Sequence, residues 1–251
     1  MRYIKLSQTQ PVEEGSDYYE YGNSEHFWVI HRQRLLLRYF DNIIRQANVV
    51  GEIGCGNGLV LSFISKYYKK TIDGMDLNER ALEMCPEFDG QLFYYDVLDR
   101  HPEMESKYDL LLLLDVLEHI DEEKPFLDAI SWHLKPGGTV LINVPCNSRL
   151  FSRYDEAAGH FRRYDIHALY KVLESAGFSV LRHINWGYCY LPIILLRKIA
   201  LQFLPKAQAY QTGFETGEIT NQLFPLLGML DFNTRWNFPG SSVLVEIEKP
   251  E

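Results

Sequence analysis

"VVGEIGCGNG", residues 49–58, places four glycines and one acid at the end of a short apolar run. Glycines at this density indicate a backbone that adopts conformations closed to other residues or comes very close to a ligand. A dinucleotide fingerprint requires G-x-G-x-x-G, and its third glycine would fall at Leu59 here. Glu52 precedes the turn, where a carboxylate repels a pyrophosphate and attracts a cation. The loop therefore favours a nucleoside that carries positive charge over NAD.

Strand and helix patterns alternate on both sides of this loop. Apolar runs that predict strands are followed by segments with helical spacing, and "YDLLLLLDV" (residues 108–116) is apolar enough for a strand covered on both faces. "KPGG" (135–138) predicts a turn into the strand "TVLINVP". Such alternation predicts a mostly parallel sheet with helices on both faces.

The remaining segments predict the domain organisation. Residues 1–47 contain an arm and a covering helix. The arm, up to residue 23, is predicted to be irregular. The helix is capped by Ser24 and runs to Ala47. Residues 48–187 form the core, residues 188–240 form a helical insertion or lid, and residues 241–251 supply the final strand of the core sheet. The insertion is too long for an ordinary connection between strands and must carry structure of its own.

Composition limits the class of partner and compartment. A formal net charge of -9 disfavours nucleic acid as a partner. The four cysteines show no paired spacing of the kind that binds metals, so no metal site is predicted from them. The N-terminal residues lack a secretory pattern, and no apolar stretch is long enough to cross a bilayer. A cytoplasmic protein is expected.

The motifs together resemble those of the class I S-adenosylmethionine-dependent methyltransferases. "GEIGCGNG" (51–58) is similar to the first motif of that family, and "GMDL" (74–77), "FYYDV" (93–97), "YDLLLLLDVLEHI" (108–120) and "LKPGGTVLINVP" (134–145) follow in the family's order. The resemblance implies a Rossmann-like, seven-stranded sheet whose last strand is antiparallel. It also implies that S-adenosylmethionine is the cofactor and S-adenosylhomocysteine the product.

The resemblance also assigns cofactor contacts residue by residue. Asp76 would hold the ribose hydroxyls, and Asp96 would meet the adenine amino group. Arg32 could reach the cofactor carboxylate, or instead lie on a solvated helix face. The full predicted set is Arg32, Glu52, Gly54, Cys55, Gly56, Gly58, Asp76, Leu77, Asp96, Val97, Asp115 and Val116.

Two histidines are candidates for a catalytic base, ranked His160 before His119. His160 lies in "SRYDEAAGHFRRYD" (152–165), a segment whose ionisable groups suit a polar substrate. His119 follows Glu118, and this pair resembles ubiquinone-pathway O-methyltransferases, which makes His119 a candidate base or metal ligand. The alternative is that His119 caps or packs at a strand end. No metal ion is included in the prediction.

Tyr154, Arg162, Arg163 and Tyr164 are the predicted substrate-binding residues, since arginines can hold a carboxylate or phosphate. An equal alternative is that the segment only joins a strand to a helix, with Asp165 as the helix cap.

Residues 191–205 predict an amphipathic helix with a wide apolar face and a narrow basic edge formed by Arg197 and Lys198. This helix could contact a membrane surface, or bury its apolar face against its own domain. The predicted function is methyl transfer to a small-molecule or lipid-like acceptor. The alternatives are a non-catalytic cofactor-binding module and an NAD-dependent oxidoreductase; the oligomeric state stays open.

Overall fold

A computed structural model describes residues 3–10, 26–203, 218–232 and 240–251 of the chain. Its strands are β1 (Ile4–Lys5), β2 (Val50–Ile53), β3 (Ile72–Asp76), β4 (Leu92–Tyr94), β5 (Tyr108–Leu114), β6 (Leu134–Pro145), β7 (Ser179–Trp186) and β8 (Ser242–Glu248). They form one sheet in the order β1-β4-β3-β2-β5-β6-β8-β7. β8 runs antiparallel to β6 and β7, and the other paired neighbours are parallel.

Helices connect these strands. The helices are α1 (Phe27–Tyr39), α2 (Asp41–Gln46), α3 (Leu59–Tyr68), α4 (Glu79–Met84), α5 (Glu123–His133), α6 (Arg153–Ala157), α7 (Ile166–Ser175), α8 (Leu191–Leu201) and α9 (Glu218–Leu227). Short 3-10 turns follow β4, β5, β6, β7 and α9. Apolar side chains pack in two clusters, which contain different members of β5: Leu111 and Leu113 in one, Leu110 and Leu112 in the other. Alternate residues of a strand point to opposite faces, so both faces of β5 are covered.

The prediction of a mostly parallel, Rossmann-like sheet with an antiparallel last strand is confirmed, but the described residues contribute eight strands to the sheet rather than seven. The extra strand is β1, which pairs with β4 through Ile4 and Lys5. This segment falls in the stretch that was predicted to be irregular. Two residues give too short a pattern for periodicity to detect.

The N-terminal helix also differs from its prediction. Ser24 lies outside the described residues, and the helix begins at Phe27 with His26 accepting a hydrogen bond from Trp28 N. The single helix predicted up to Ala47 is two helices, because the backbone leaves the helical conformation at Phe40 (φ -124°). Phe40 is buried, so packing at the break outweighs helical continuity.

The predicted turn at 135–138 is a bulge within β6. Tyr108 pairs with Leu134, whereas Leu110 already pairs with Thr139. Residues 135–138 bulge out of the strand opposite Asp109, and Gly137 adopts the positive φ of 70° that this bulge requires. Lys135 Nζ then reaches Asp109 Oδ1 at 2.8 Å.

The predicted insertion is described for residues 188–203, 218–232 and 240. α9 packs on α1, where Arg34 donates to the carbonyl of Pro225 and the rings of Phe27 and Phe224 lie 4.9 Å apart. Beyond α9, Asp231 Oδ2 lies 2.9 Å from His31 Nε2, and both side chains are fully buried. The insertion is thereby fixed to the covering helix.

α8 presents its apolar face to solvent, contrary to one of its two predicted alternatives. Leu201 is the buried member of this helix, whereas Leu195, Leu196 and Ile199 are exposed, Leu196 to 68%. The basic edge faces the protein instead, with Lys198 Nζ donating to the carbonyl of Arg149. The alternative that α8 buries its apolar face against its own domain is therefore wrong. Among the described helices, none is both long and apolar enough to span a membrane.

Candidate functional site

The glycine loop lies between the carboxyl end of β2 and the start of α3. Gly54 and Gly58 have positive φ values of 71° and 72°. A Cβ atom on Gly54 would lie 2.4 Å from Val116 Cγ2, and one on Gly58 would lie 2.8 Å from Cys85 Sγ. Both conformation and space therefore demand glycine at these two positions.

Asp76 connects this loop to the end of β3. Its Oδ2 accepts a hydrogen bond from Gly56 N at 2.7 Å, and its Oδ1 accepts one from Asn78 N at 2.8 Å. Burial raises the pKa of Asp76, while the N–H groups of Gly56, Asn78 and Leu77 oppose that rise. The predicted ribose acid thus lies directly beside the glycine loop, and Leu77 is the next residue along the chain.

Asp96, the predicted adenine contact, meets the N-terminal arm. Asp96 N donates to Ser7 Oγ at 2.9 Å, and Thr9 Oγ1 donates to Asp96 Oδ2 at 3.2 Å. Val97 begins the turn after Asp96 and is buried. Sequence reasoning missed Ser7 and Thr9, because their proximity to Asp96 depends on the pairing of β1 with β4.

Asp115 directly follows β5 and lies in the left-handed backbone region, with φ 61°. Its carboxylate forms an ion pair with Arg32 of α1 and accepts a hydrogen bond from Asn143 Nδ2. Asn143 Oδ1 in turn accepts from Trp186 Nε1 at 2.9 Å. The alternative that Arg32 lies on a solvated helix face is wrong, since its side chain is 7% exposed. Contact of Arg32 with the cofactor carboxylate stays a prediction.

Glu52 is a buried acid beside these groups. Its residue is 3% exposed, and its Oε2 has no hydrogen-bond partner among the described residues. Burial raises the pKa of Glu52 well above its usual value, although the nearby Arg32 guanidinium lowers it. An unpartnered carboxylate oxygen in such a place is suited to a cationic ligand group.

His160 and His119 come together at the same edge of the sheet. Their ring centroids lie 4.7 Å apart with the planes at 90°. Burial lowers the pKa of His119 to about 4, and the adjacent His160 contributes to that lowering. His160 Nδ1 lies 3.2 Å from Asp155 Oδ1. The two residues nominated as a base are thus neighbours, although they are distant in sequence.

Glu118 joins these histidines. One ligand atom each from Glu118, His119 and His160 lie within 4.8 Å of one another, close enough for a divalent metal ion. Glu118 is buried, and its Oε2 has no hydrogen-bond partner among the residues described. In the sequence, only the adjacency of Glu118 and His119 pointed to this cluster. The prediction that no metal is used stays a prediction.

The predicted substrate-binding residues surround these histidines with their polar groups already engaged. Arg163 Nε donates to Asp155 at 2.7 Å, and Arg162 Nη1 lies 2.9 Å from Glu123 Oε1. Tyr164 is buried, and its hydroxyl donates to Glu123 Oε1 at 2.8 Å. Tyr154 lies under Arg197, whose guanidinium carbon is 4.6 Å from the ring centroid. Their role in substrate binding stays a prediction.

The alternative for this segment, a linker capped by Asp165, is also partly visible. Asp165 occupies the position before α7, but its carboxylate accepts hydrogen bonds from Ser148 N and Ser148 Oγ rather than from the helix. Sequence reasoning missed the importance of Asp155. The spacing Ser152-x-x-Asp155 was a signal for it, because that spacing is typical of a helix-capping box.

A family model described as a methyltransferase domain matches residues 27–183, which is more than half of the chain. The chain belongs to the methyltransferase-domain family. The chain is similar to curated ubiquinone biosynthesis O-methyltransferases. The mitochondrial protein of Dictyostelium discoideum is 27% identical over 39% of this chain and 35% of its own length. That of Schizosaccharomyces pombe is 22% identical over 62% of this chain and 65% of its own length. This chain thus spans less than two thirds of either relative.

Solved structures show the same fold. A SAM-dependent methyltransferase from Archaeoglobus fulgidus matches with a TM-score of 0.58 and 17% identity, over 93% of this chain and 98% of its own. A phosphoethanolamine N-methyltransferase from Haemonchus contortus, in complex with S-adenosylhomocysteine, matches with a TM-score of 0.54 and 16% identity, over 81% of this chain and 49% of its own. The predicted family and its cofactor, S-adenosylmethionine, are confirmed by these comparisons.

The residues present fit that cofactor. The glycine loop leaves no room for side chains at Gly54 and Gly58, and Glu52 presents an unpartnered buried oxygen. The predicted contact residues lie at the carboxyl ends of β2 to β5, with Arg32 of α1 paired to Asp115, and their contacts with the cofactor stay a prediction.

Proposed function

We propose that this methyltransferase transfers a methyl group from S-adenosylmethionine to a hydroxyl oxygen of a small-molecule or lipid-like acceptor. The observation that carries the proposal is His160, whose Nδ1 lies against the buried carboxylate of Asp155 and whose ring contacts that of His119, four residues after Asp115. A hydroxyl loses its proton on methylation, so a positioned imidazole suits an oxygen acceptor. The names of the curated relatives, which are O-methyltransferases, support the same class of acceptor.

The cofactor, when bound, supplies a methyl group activated by the neighbouring sulfonium. The chain's own contribution is to hold the acceptor in line and to accept its proton. Correct placement alone supplies about 7–11 kcal/mol in favourable cases. His160 is the proposed base, and His119, with its pKa lowered to about 4, is neutral at pH 7 and ranks second.

The proposal is tested with purified protein, S-adenosylmethionine and a panel of phenols, catechols and long-chain alcohols, by following S-adenosylhomocysteine release. His160→Gln should lower turnover by about 10²–10⁴-fold, the usual contribution of a general base. S-adenosylhomocysteine binding, measured by calorimetry, should stay unchanged in the variant. Turnover at the wild-type level in His160→Gln would overturn the assignment of the base.

A lipid-like acceptor is supported by the apolar surface of the insertion. Exposed leucines of α8 are joined by exposed residues of α9 and its following turn, among them Leu226 and Leu230. We therefore propose a peripheral membrane contact through the predicted segment 191–205, of which residues 204 and 205 lie outside the described part. Since Lys198 bonds to the carbonyl of Arg149, the contact is apolar rather than electrostatic in origin.

Sedimentation with neutral phosphatidylcholine vesicles tests this contact. Leu196→Asp should abolish co-sedimentation, whereas Leu181→Asp, an exposed leucine on β7, serves as the matched control and should not. Wild-type protein that stays in the supernatant would overturn the membrane proposal and leave the methyl-transfer proposal intact.

A further inference from the structure

Asp155 is a fully buried carboxylate with three hydrogen-bond donors and one imidazole nitrogen around it. Its Oδ2 accepts from Ser152 N at 2.8 Å and from Ser152 Oγ at 2.9 Å. Its Oδ1 accepts from Arg163 Nε at 2.7 Å and lies 3.2 Å from His160 Nδ1. Asp155 itself is 0% exposed. Its partners therefore hold it within α6, and it faces the loop that carries His160.

The charge state of Asp155 decides what His160 must do. Ser152 N and Ser152 Oγ donate to one of the Asp155 oxygens and the Arg163 guanidinium donates to the other, an arrangement that favours the ionised carboxylate. At neutral pH the carboxylate is ionised, and an ionised carboxylate can only accept hydrogen bonds. A hydrogen bond between Asp155 Oδ1 and His160 Nδ1 therefore requires the proton to lie on Nδ1.

We infer that Asp155 is a positioning residue that holds His160 in the tautomer with Nδ1 protonated and leaves Nε2 as the proton acceptor. The inference rests on the proposed function for its catalytic meaning. In that reaction the acceptor oxygen forms a bond to the methyl carbon, and the carbon–sulfur bond breaks with its electron pair going to sulfur. The hydroxyl proton goes to His160 Nε2. The imidazolium formed is stabilised by the negative charge of Asp155.

Arg163 and Ser152 acquire a role from this arrangement. Arg163 is 6% exposed in its side chain and also donates from Nη1 to the carbonyl of Ser241, at the start of the last strand region. It therefore anchors Asp155 to the sheet, and Ser152 fixes the other carboxylate oxygen. The double anchoring keeps Asp155 from rotating away from His160.

His119 does not compete for this role. A hydrogen bond to the backbone of Gly159 engages His119, and its ring meets the ring of His160 edge-on. His119 is not among the groups that hold Asp155 in place, which are Ser152, His160 and Arg163. The geometry thus distinguishes the two histidines that the sequence could only rank.

Long-range ¹H–¹⁵N NMR of the full chain, labelled with ¹⁵N-histidine, reads the tautomer directly. Spectra are recorded at pH 8 with S-adenosylhomocysteine and EDTA, and His160→Gln identifies the signal. We expect the wild type to show protonated Nδ1 and unprotonated Nε2. Asp155→Asn should convert the signal to the Nε2-protonated form or to a mixture. A wild-type signal with protonated Nε2 overturns the inference.

Two further variants separate positioning from a merely structural role. Arg163→Gln removes one of the two anchors and should lower thermal stability, while Ser152 still holds Asp155 against His160 and Nδ1 stays protonated. Glu156→Gln changes the adjacent exposed carboxylate of α6 and should change neither property. If Asp155→Asn folds and its His160 tautomer equals that of the wild type, the inference fails. If Asp155→Asn does not fold, the wild-type spectrum alone decides.

Kinetics connect the tautomer to the reaction once an acceptor is found. Asp155→Asn should lower kcat by no more than His160→Gln does, for which a decrease of about 10²–10⁴-fold is expected. KM for S-adenosylmethionine should stay unchanged. An unchanged kcat overturns the positioning role. The NMR result does not depend on turnover, so failure of the proposed reaction and failure of this inference are distinguishable.

Discussion

Glu52→Gln tests the electrostatics of the cofactor site. Burial raises the pKa of Glu52 well above its usual value, so the folded chain holds this proton where an unfolded glutamate releases it, above about pH 4.3. At this group the folded state therefore binds more protons, so the contribution of Glu52 to the free energy of unfolding falls as the pH rises toward the folded-state pKa. The contribution of Glu52 is about 1.4 kcal/mol per pH unit, or nearly 3 kcal/mol from pH 5 to pH 7 if the group stays protonated throughout.

Urea denaturation at pH 5, 6 and 7 measures this slope. Glu52→Gln cannot titrate, so its free energy of unfolding should fall less steeply by up to about 1.4 kcal/mol per pH unit. Glu83→Gln, an exposed acid on α4, is the matched control and should keep the wild-type slope. A Glu52→Gln variant with the wild-type slope would refute the reasoning.

Calorimetry of cofactor binding gives an independent readout of the same group. A cationic ligand group beside Glu52 favours the ionised carboxylate, so binding of S-adenosylmethionine at pH 7 should release on the order of one proton. The binding enthalpy should then depend on the buffer's ionisation enthalpy in the wild type but not in Glu52→Gln. Affinity should fall by about 1.5–3 kcal/mol through loss of a charge-assisted contact. Buffer-independent enthalpy in the wild type would contradict this account.

Three further substitutions examine other parts of the site. Asp76→Ala should weaken S-adenosylhomocysteine binding by about 1–3 kcal/mol in calorimetry, and unchanged affinity would show that the ribose lies elsewhere. Thr9→Val removes the hydroxyl that reaches Asp96 and should cost about 0.5–1.5 kcal/mol of the same affinity; no loss would mean that the arm does not shape the adenine end. Asp231→Asn breaks the buried pair with His31 and should lower the free energy of unfolding by about 3 kcal/mol, whereas a loss below about 1 kcal/mol would show that the pair does not fix the insertion.

The sheet and the cofactor edge could be predicted because their signals are local. β5 is a continuous apolar run, and the glycines that follow β2 occupy positions that other residues cannot. In a parallel sheet, acids that end successive strands come together at one edge whatever the loops do. The order of the strands and the residue at which each one ends were therefore enough to predict that Asp76, Asp96 and Asp115 lie at one edge of the sheet.

The acceptor side could not be predicted in the same way because its contacts join distant segments. Asp155 acquires its role from Arg163 and His160, and the arm reaches Asp96 only through pairing of two-residue β1. The orientation of α8 could not be predicted either. Helical periodicity identified its basic edge but could not tell whether the basic or the apolar side of the helix faces the protein. Lys198 turns inward because the carbonyl of Arg149 accepts its hydrogen bond there.

The hydrogen bonds of the glycine loop decide between S-adenosylmethionine and a dinucleotide. A phosphate-binding loop must aim free N–H groups at the ligand. Here Gly54 N and Cys55 N donate to the carbonyl of Met75 at 2.8 and 3.1 Å, and Gly58 N donates to the carbonyl of Cys55 at 3.0 Å. Gly56 N donates to the carboxylate of Asp76.

Because these four N–H groups are engaged within the chain, and Glu52 adds a buried acid, a diphosphate would meet repulsion and could not use these four donors. S-adenosylhomocysteine at 100 times its Kd should stabilise the fold by about 2.7 kcal/mol, which corresponds to a rise in Tm of about 5–10 °C for a chain of this size. NAD and ADP at the same concentration should leave Tm unchanged. A rise in Tm with either of them would show that the loop can release its N–H groups to a phosphate.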